Sequence, residues 1–183
     1  MNENSYEIEV PQLKDVSFAD SLFQDIILRM FFDTHKDMNI TLSNHHLLIP
    51  SNSYNNPNII YLELSHFIDL SVLEIGDKSF SYVQSVNLDN MNKLKNITIG
   101  KEVWNRYMDD FVLESIPSLE TIIIGQSSLM FTHSISILNN PMLQSIYFYD
   151  YSFHNTYSLT LLSSEVYFSI QSRSSWFIYF ITR

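Results

Sequence analysis

Three stretches share one local pattern: LEIGDKSF at 73–80, ITIGKEVW at 97–104 and IIIGQSSL at 122–129. They contain Gly76, Gly100 and Gly125, the only three glycines among 183 residues. The glycines recur at almost equal steps, about 24 residues apart, and a near-constant period in this range marks stacked repeats. One such unit buries its apolar face only against its neighbours. The flanks keep the same phase. Each glycine follows the phrase L-x-x-[LI]-x-I, through Leu70, Leu73 and Ile75, then Leu94, Ile97 and Ile99, then Leu119, Ile122 and Ile124. A fourth phrase, Leu143, Ile146 and Phe148, leads into Tyr149-Asp150 in place of glycine. Four residues past each glycine slot stands a bulky apolar residue: Phe80, Trp104, Leu129 or Phe153.

A second alternation interleaves with the first: Leu62-x-Leu64, Val86-x-Leu88, Phe111-x-Leu113, Ile135-x-Ile137 and Leu159-x-Leu161, with Ile40-x-Leu42 as a weaker early member. Turn-forming residues follow it, as in Asp89-Asn90-Met91-Asn92 and Asn139-Asn140-Pro141. Period-2 alternation of β-branched and aliphatic residues signals strands, and the Asn, Pro and Gly clusters break them. The expected fold class is therefore mainly β: a solenoid of coils of about 24 residues, with two short parallel strands per coil. Glycine is expected to serve the sharp turn after each first strand by adopting positive φ, with Asp150 in that role in the fourth coil.

Residues 58–163 resemble the leucine-rich repeat superfamily, and most closely its BspA-like branch, whose coils carry an I-G-x-x-A-F phrase. Ile75-Gly76-Asp77-Lys78-Ser79-Phe80 matches it with Ser for Ala. The places where familiar leucine-rich repeats carry Asn or Cys hold Lys78, Glu102, Ser127 and Tyr151, so an Asn ladder is not expected there. The resemblance implies a non-catalytic protein-interaction scaffold, and it brings no catalytic residues with it.

The chain is expected to divide into an N-terminal segment over 1–39, a repeat solenoid over 40–163 and a degenerate last coil or tail over 164–183. Residues 17–33 read as a helix capping the solenoid, from the Ser17/Asp20 start and the apolar face Phe18, Leu22, Ile26, Met30 and Phe31. A docking helix for a partner is the other reading of that stretch. In the tail, Tyr167 and Ile170 are expected in the L-x-x-I slots. Three readings stand for WFIYFI at 176–181: a last edge strand, an interface, or the end of an interrupted array.

The formal net charge of −10 carries no basic patch, which argues against nucleic acid and against an anionic membrane surface. With no cysteine there are no disulfides, thiolate metal sites or cysteine nucleophiles. A polar, acidic N-terminus and the lack of a long apolar run point to an intracellular, cytoplasmic protein. No motif asks for a cofactor or a metal. Asp109-Asp110 reads as a carboxylate pair in a solvated turn over 106–111.

The outward positions between the inward Ile and Leu residues are Glu74, Thr98, Ile123 and Tyr147, flanked by Lys95, Glu120 and Gln144. Exposed Ile and Tyr on a sheet suit protein binding, so this face is the expected contact with an unknown protein partner. The alternatives are a fragment of a longer repeat array without independent function, and a β-helix carbohydrate-active protein.

Overall fold

A computed structural model describes residues 41–43, 45–65, 67–89, 91–162, 167–170 and 179–180. The expected capping helix over 17–33 lies outside the described residues. Thirteen strands make up the described fold: β1 (Thr41–Ser43), β2 (His46–Ile49), β3 (Tyr61–Glu63), β4 (Val72–Ile75), β5 (Ser85–Asn87), β6 (Asn96–Ile99) and β7 (Tyr107–Glu114). They continue with β8 (Thr121–Ile124), β9 (Phe131–Leu138), β10 (Ser145–Phe148), β11 (Ser158–Leu162), β12 (Tyr167–Ile170) and β13 (Tyr179–Phe180). Among the described residues there is no helix.

Successive coils stack into a β-solenoid of about five turns. One side is a seven-stranded sheet in the order β1-β2-β4-β6-β8-β10-β12. Its pairs are parallel except β1–β2. The other side is a two-stranded sheet, β3-β5, followed by a four-stranded sheet, β13-β11-β9-β7, again parallel. The phrase L-x-x-[LI]-x-I sits where its periodicity demands. Leu47, Leu73, Ile97, Ile122 and Ile146 align in register, as do Ile49, Ile75, Ile99, Ile124 and Phe148, and all ten are buried. Each such side chain contributes about 1.5–3 kcal/mol by leaving water.

Aromatic residues fill the next corner. Tyr54 stacks on Phe80 with centroids 5.0 Å apart, and Phe80 on Trp104 at 6.1 Å. Burial raises the Tyr54 phenol well above its ordinary pKa. A buried serine accompanies this column in most coils. The Ser79 hydroxyl donates to the Pro50 carbonyl at 2.9 Å and accepts from the Ser53 amide at 3.2 Å. Ser128 donates to Gly100 O at 2.5 Å and accepts from Val103 N–H at 3.1 Å. Ser152 donates to Gly125 O at 3.0 Å. The serine in I-G-x-x-S-F thus ties one coil to the one before it, which an alanine cannot do.

The glycines do not occupy the positive-φ turn expected of them. None of the three has positive φ, and neither does Asp150. After each first strand the left-handed positions are instead Asn52, Lys78, Glu102, Ser127 and Tyr151, and two residues on, Tyr54, Phe80, Trp104, Leu129 and Phe153. Glycine is needed because successive coils come too close for a side chain. A Cβ on Gly100 would lie 2.7 Å from Asp77 N and 2.9 Å from Gly76 C, and one on Gly125 would lie 2.5 Å from Gly100 C. The Gly76, Gly100 and Gly125 amides donate to Ile49, Ile75 and Ile99 at 2.7–2.8 Å. Where Tyr149 takes the slot, the same rung to Ile124 O lengthens to 3.1 Å.

Three further expectations need correction. Leu42, the described member of Ile40-x-Leu42, does not join the second alternation: it belongs to β1, which pairs antiparallel with β2 and aligns Leu42 with Leu47. In the last repeat of the first strand, Tyr167 aligns with Ser145 and Ile170 with Phe148, two residues on from the expected matches to Leu143 and Ile146, and Phe168 takes the slot of Ile146. Asp109-Asp110 lies inside β7 and not in a turn.

Candidate functional site

Of the seven residues expected on the contact face, Glu74, Thr98, Ile123 and Tyr147 lie on strands of the seven-stranded sheet and the other three immediately before its strands. Cα register aligns Leu48, Glu74, Thr98, Ile123 and Tyr147 as one outward lane across β2, β4, β6, β8 and β10. Neighbours in such a lane are about 4.8 Å apart. The alternation that buries Leu73/Ile75 and their equivalents forces these middle residues outward. Ile123 is half-buried between its lane neighbours, while Tyr147 and Leu48 are exposed. Sequence reasoning omitted Leu48, since its coil is longer than those that follow and departs from their period.

Lys95, Glu120 and Gln144 each stand one residue before a strand of this sheet. The Glu120 amide donates to Lys95 O at 2.8 Å and the Gln144 amide to Glu120 O at 2.9 Å, so they too form a column. Lys95 Nζ lies 3.4 Å from Glu120 Oε1, and His46 Nε2 lies 3.5 Å from Glu74 Oε2. Lys95 is exposed and Glu120 partly so, so the Lys95–Glu120 pair contributes about 0–1 kcal/mol.

At the opposite end of these strands runs a column that sequence reasoning missed: Asp77, Lys101, Gln126 and Asp150, one residue past each glycine slot. The Lys101 amide donates to Asp77 Oδ1 at 2.8 Å, locking successive members. A groove of about 450 Å³ lies here, bounded by Thr98, Ile123, Gly100, Lys101, Tyr149 and Asp150. Its signal in the sequence was the recurrence of polar residues immediately after the glycine slot. The groove runs into the Thr98–Ile123 part of the outward lane, so apolar, aromatic and polar groups adjoin on one surface. Asp77 and Asp150 are three coils apart, about 14 Å at ~4.8 Å per coil. Paired-carboxylate chemistry on sugars uses separations of about 5–9.5 Å, shorter than this one.

On the other side of the solenoid, Val112, Ser136 and Thr160 align in register as an outward lane. Among the described residues no three His, Asp or Glu side chains gather as a metal site requires. Nor does any helix there have the length and apolarity to cross a membrane. No family model, curated protein or solved structure matches the chain.

Proposed function

We propose that the chain is a non-catalytic protein-interaction scaffold of the leucine-rich-repeat type, close to the BspA-like branch. It engages a protein partner across the outward lane Glu74–Thr98–Ile123–Tyr147 and the flanking Lys95, Glu120 and Gln144. The observation that carries this reading is Ile123 beside Tyr147 in register, at the mouth of the glycine groove. An apolar residue and an aromatic residue side by side on a rigid sheet form the kind of small cluster on which binding energy concentrates. The neighbouring charges are exposed and suited to setting orientation and association rate more than affinity.

Affinity capture with the intact protein, followed by mass spectrometry, tests it. Ile123→Lys combined with Tyr147→Ala is expected to lose the specific partner, while Ser136→Lys on the opposite sheet keeps it. Retention of that partner at unchanged affinity by the double variant would contradict the reading.

The Asp77–Lys101–Gln126–Asp150 column beside Tyr149 favours a second reading, in which the groove takes a saccharide. Sugar hydroxyls would bond to the column and a ring face would rest on Tyr149. A glycan array probed with the labelled protein decides it. Saccharide binding lost on Tyr149→Ala supports this reading, and a blank array removes it.

A further inference from the structure

The corner where β7, β9 and β11 begin carries a second surface, on the side of the solenoid away from the outward lane. In β7, Met108 and Phe111 are buried and the two residues between them, Asp109 and Asp110, are both exposed. In β9, Thr132 and Ile135 are buried around His133 and Ser134. Two consecutive outward residues per coil replace strict alternation, so the corner projects more side chains than a flat strand does. Asp110 is the Cα partner of Ser134, and the Tyr157 amide donates to His133 O at 3.2 Å, so these outward residues stack across successive coils.

Aromatic rings crowd the same corner. Tyr107 and Phe131 are Cα partners, 58% and 43% exposed. Tyr157 is 85% exposed, and its ring centroid is 5.6 Å from that of His133. The Tyr107 hydroxyl bonds to Asp109, which together with the nearby carboxylate charge raises its pKa. The Ser134 hydroxyl donates to Asp110 Oδ1 at 2.6 Å, and His133 Nδ1 lies 3.2 Å from the same oxygen. Those contacts hold the Asp110 carboxyl below its ordinary pKa, hydrogen bonding from Ser134 contributing most. Ser134 and His133 both turn to Asp110 and not to each other, so this trio is no activated nucleophile. One coil earlier the chain makes the relevant contact with itself: the Arg106 guanidinium sits 4.4 Å over the Tyr82 ring.

We propose that this corner docks arginine side chains of a basic segment of a partner protein, with guanidinium groups resting on Tyr107, Phe131 and Tyr157 and paired with Asp109 and Asp110. Charge complementarity selects the occupant. Two carboxylates stand among exposed rings on a chain of net charge −10, and each carboxylate keeps acceptor capacity beyond its present bonds. Arginine combines a stacking face with a forked donor, and the Arg106–Tyr82 pair is that geometry in miniature. The proposal is independent of the outward lane on the other sheet.

A fluorescein-labelled peptide of alternating arginine and glycine, titrated with the full chain at physiological ionic strength and read by anisotropy, tests it. Saturable binding is expected, weakened roughly tenfold by Phe131→Ala with Tyr157→Ala. Asp109→Asn with Asp110→Asn is expected to weaken it by a similar factor. Glu102→Gln with Asp89→Asn, the same loss of charge elsewhere, should stay within about twofold if binding is local rather than diffuse. Tyr157→Ala alone, at a ring almost wholly in solvent, should still weaken binding severalfold and guards against misfolding of the pair. An absence of binding, equal affinity after aromatic truncation, or an equal loss from the distant charge pair would each overturn the proposal.

Discussion

Gly100 and Glu102 are two residues apart and answer opposite steric demands. Gly100 has ordinary φ but no room for a Cβ, since the Asp77 and Gly76 backbone stands within 2.9 Å of where one would be. Gly100→Ala is therefore expected to lower stability by about 1–3 kcal/mol through forced separation of coils, measured by urea unfolding. Glu102 has φ 55° and Ser127 φ 57°, in the region where a side chain is strained. Ser127→Gly is expected to leave stability unchanged or raise it by up to about 1 kcal/mol, the relieved strain being partly offset by greater freedom of the unfolded chain. If Ser127→Gly destabilised more than Gly100→Ala, the assignment of the two roles would be reversed. The sequence made glycine conspicuous but not its reason. Close approach is a property of two coils at once, and the phrase I-G-x-x-S-F describes only one.

At the scale of the element, each coil is held to its neighbours by apolar ladders and by a few buried polar bonds. Ser128 is fully buried and bridges Gly100 O and Val103 N–H across coils. Ser128→Ala leaves the Val103 amide without its partner, and a loss of about 1–3 kcal/mol is expected in chemical denaturation. A variant as stable as the parent would mean that the serine merely fills space. Asn140 plays a similar part at the other corner, in the slot that holds Phe67, Met91 and Ile116 in earlier coils. Its side chain donates to Leu113 O at 3.0 Å and accepts from Ile116 N–H at 2.9 Å. The strands were readable from the sequence because alternation survives in every coil. The corner at 107–111 was not, because two adjacent outward residues, Asp109 and Asp110, mimic a polar turn while the backbone continues as β7.

For the whole molecule, the repeat period was readable because inward residues recur without gaps from Leu70 to Leu161. It failed at both ends. The step from Leu47 to Leu73 is longer than the common period and that from Ile146 to Phe168 is shorter. The outward lane of the candidate site was readable for the same reason as the core, since period 2 fixes both faces of a strand at once. The glycine groove and the aromatic corner were not: the groove exists only between stacked coils, and the corner breaks period 2 inside β7 and β9, where two adjacent residues face outward.

Register carries both the fold and the site, and the cysteine-free chain allows a clean test of it. Thr98 and Ile123 are Cα partners on one face, whereas Thr98 and Ile124 point to opposite faces. Introduced cysteines at 98 and 123 should form a disulfide under mild oxidation, because adjacent strands bring Cα atoms within bridging reach, roughly 4.4–6.8 Å. The pair at 98 and 124 should stay reduced. Cross-linking of the second pair in preference to the first would place Ile123 inside and remove the face on which the proposed function rests.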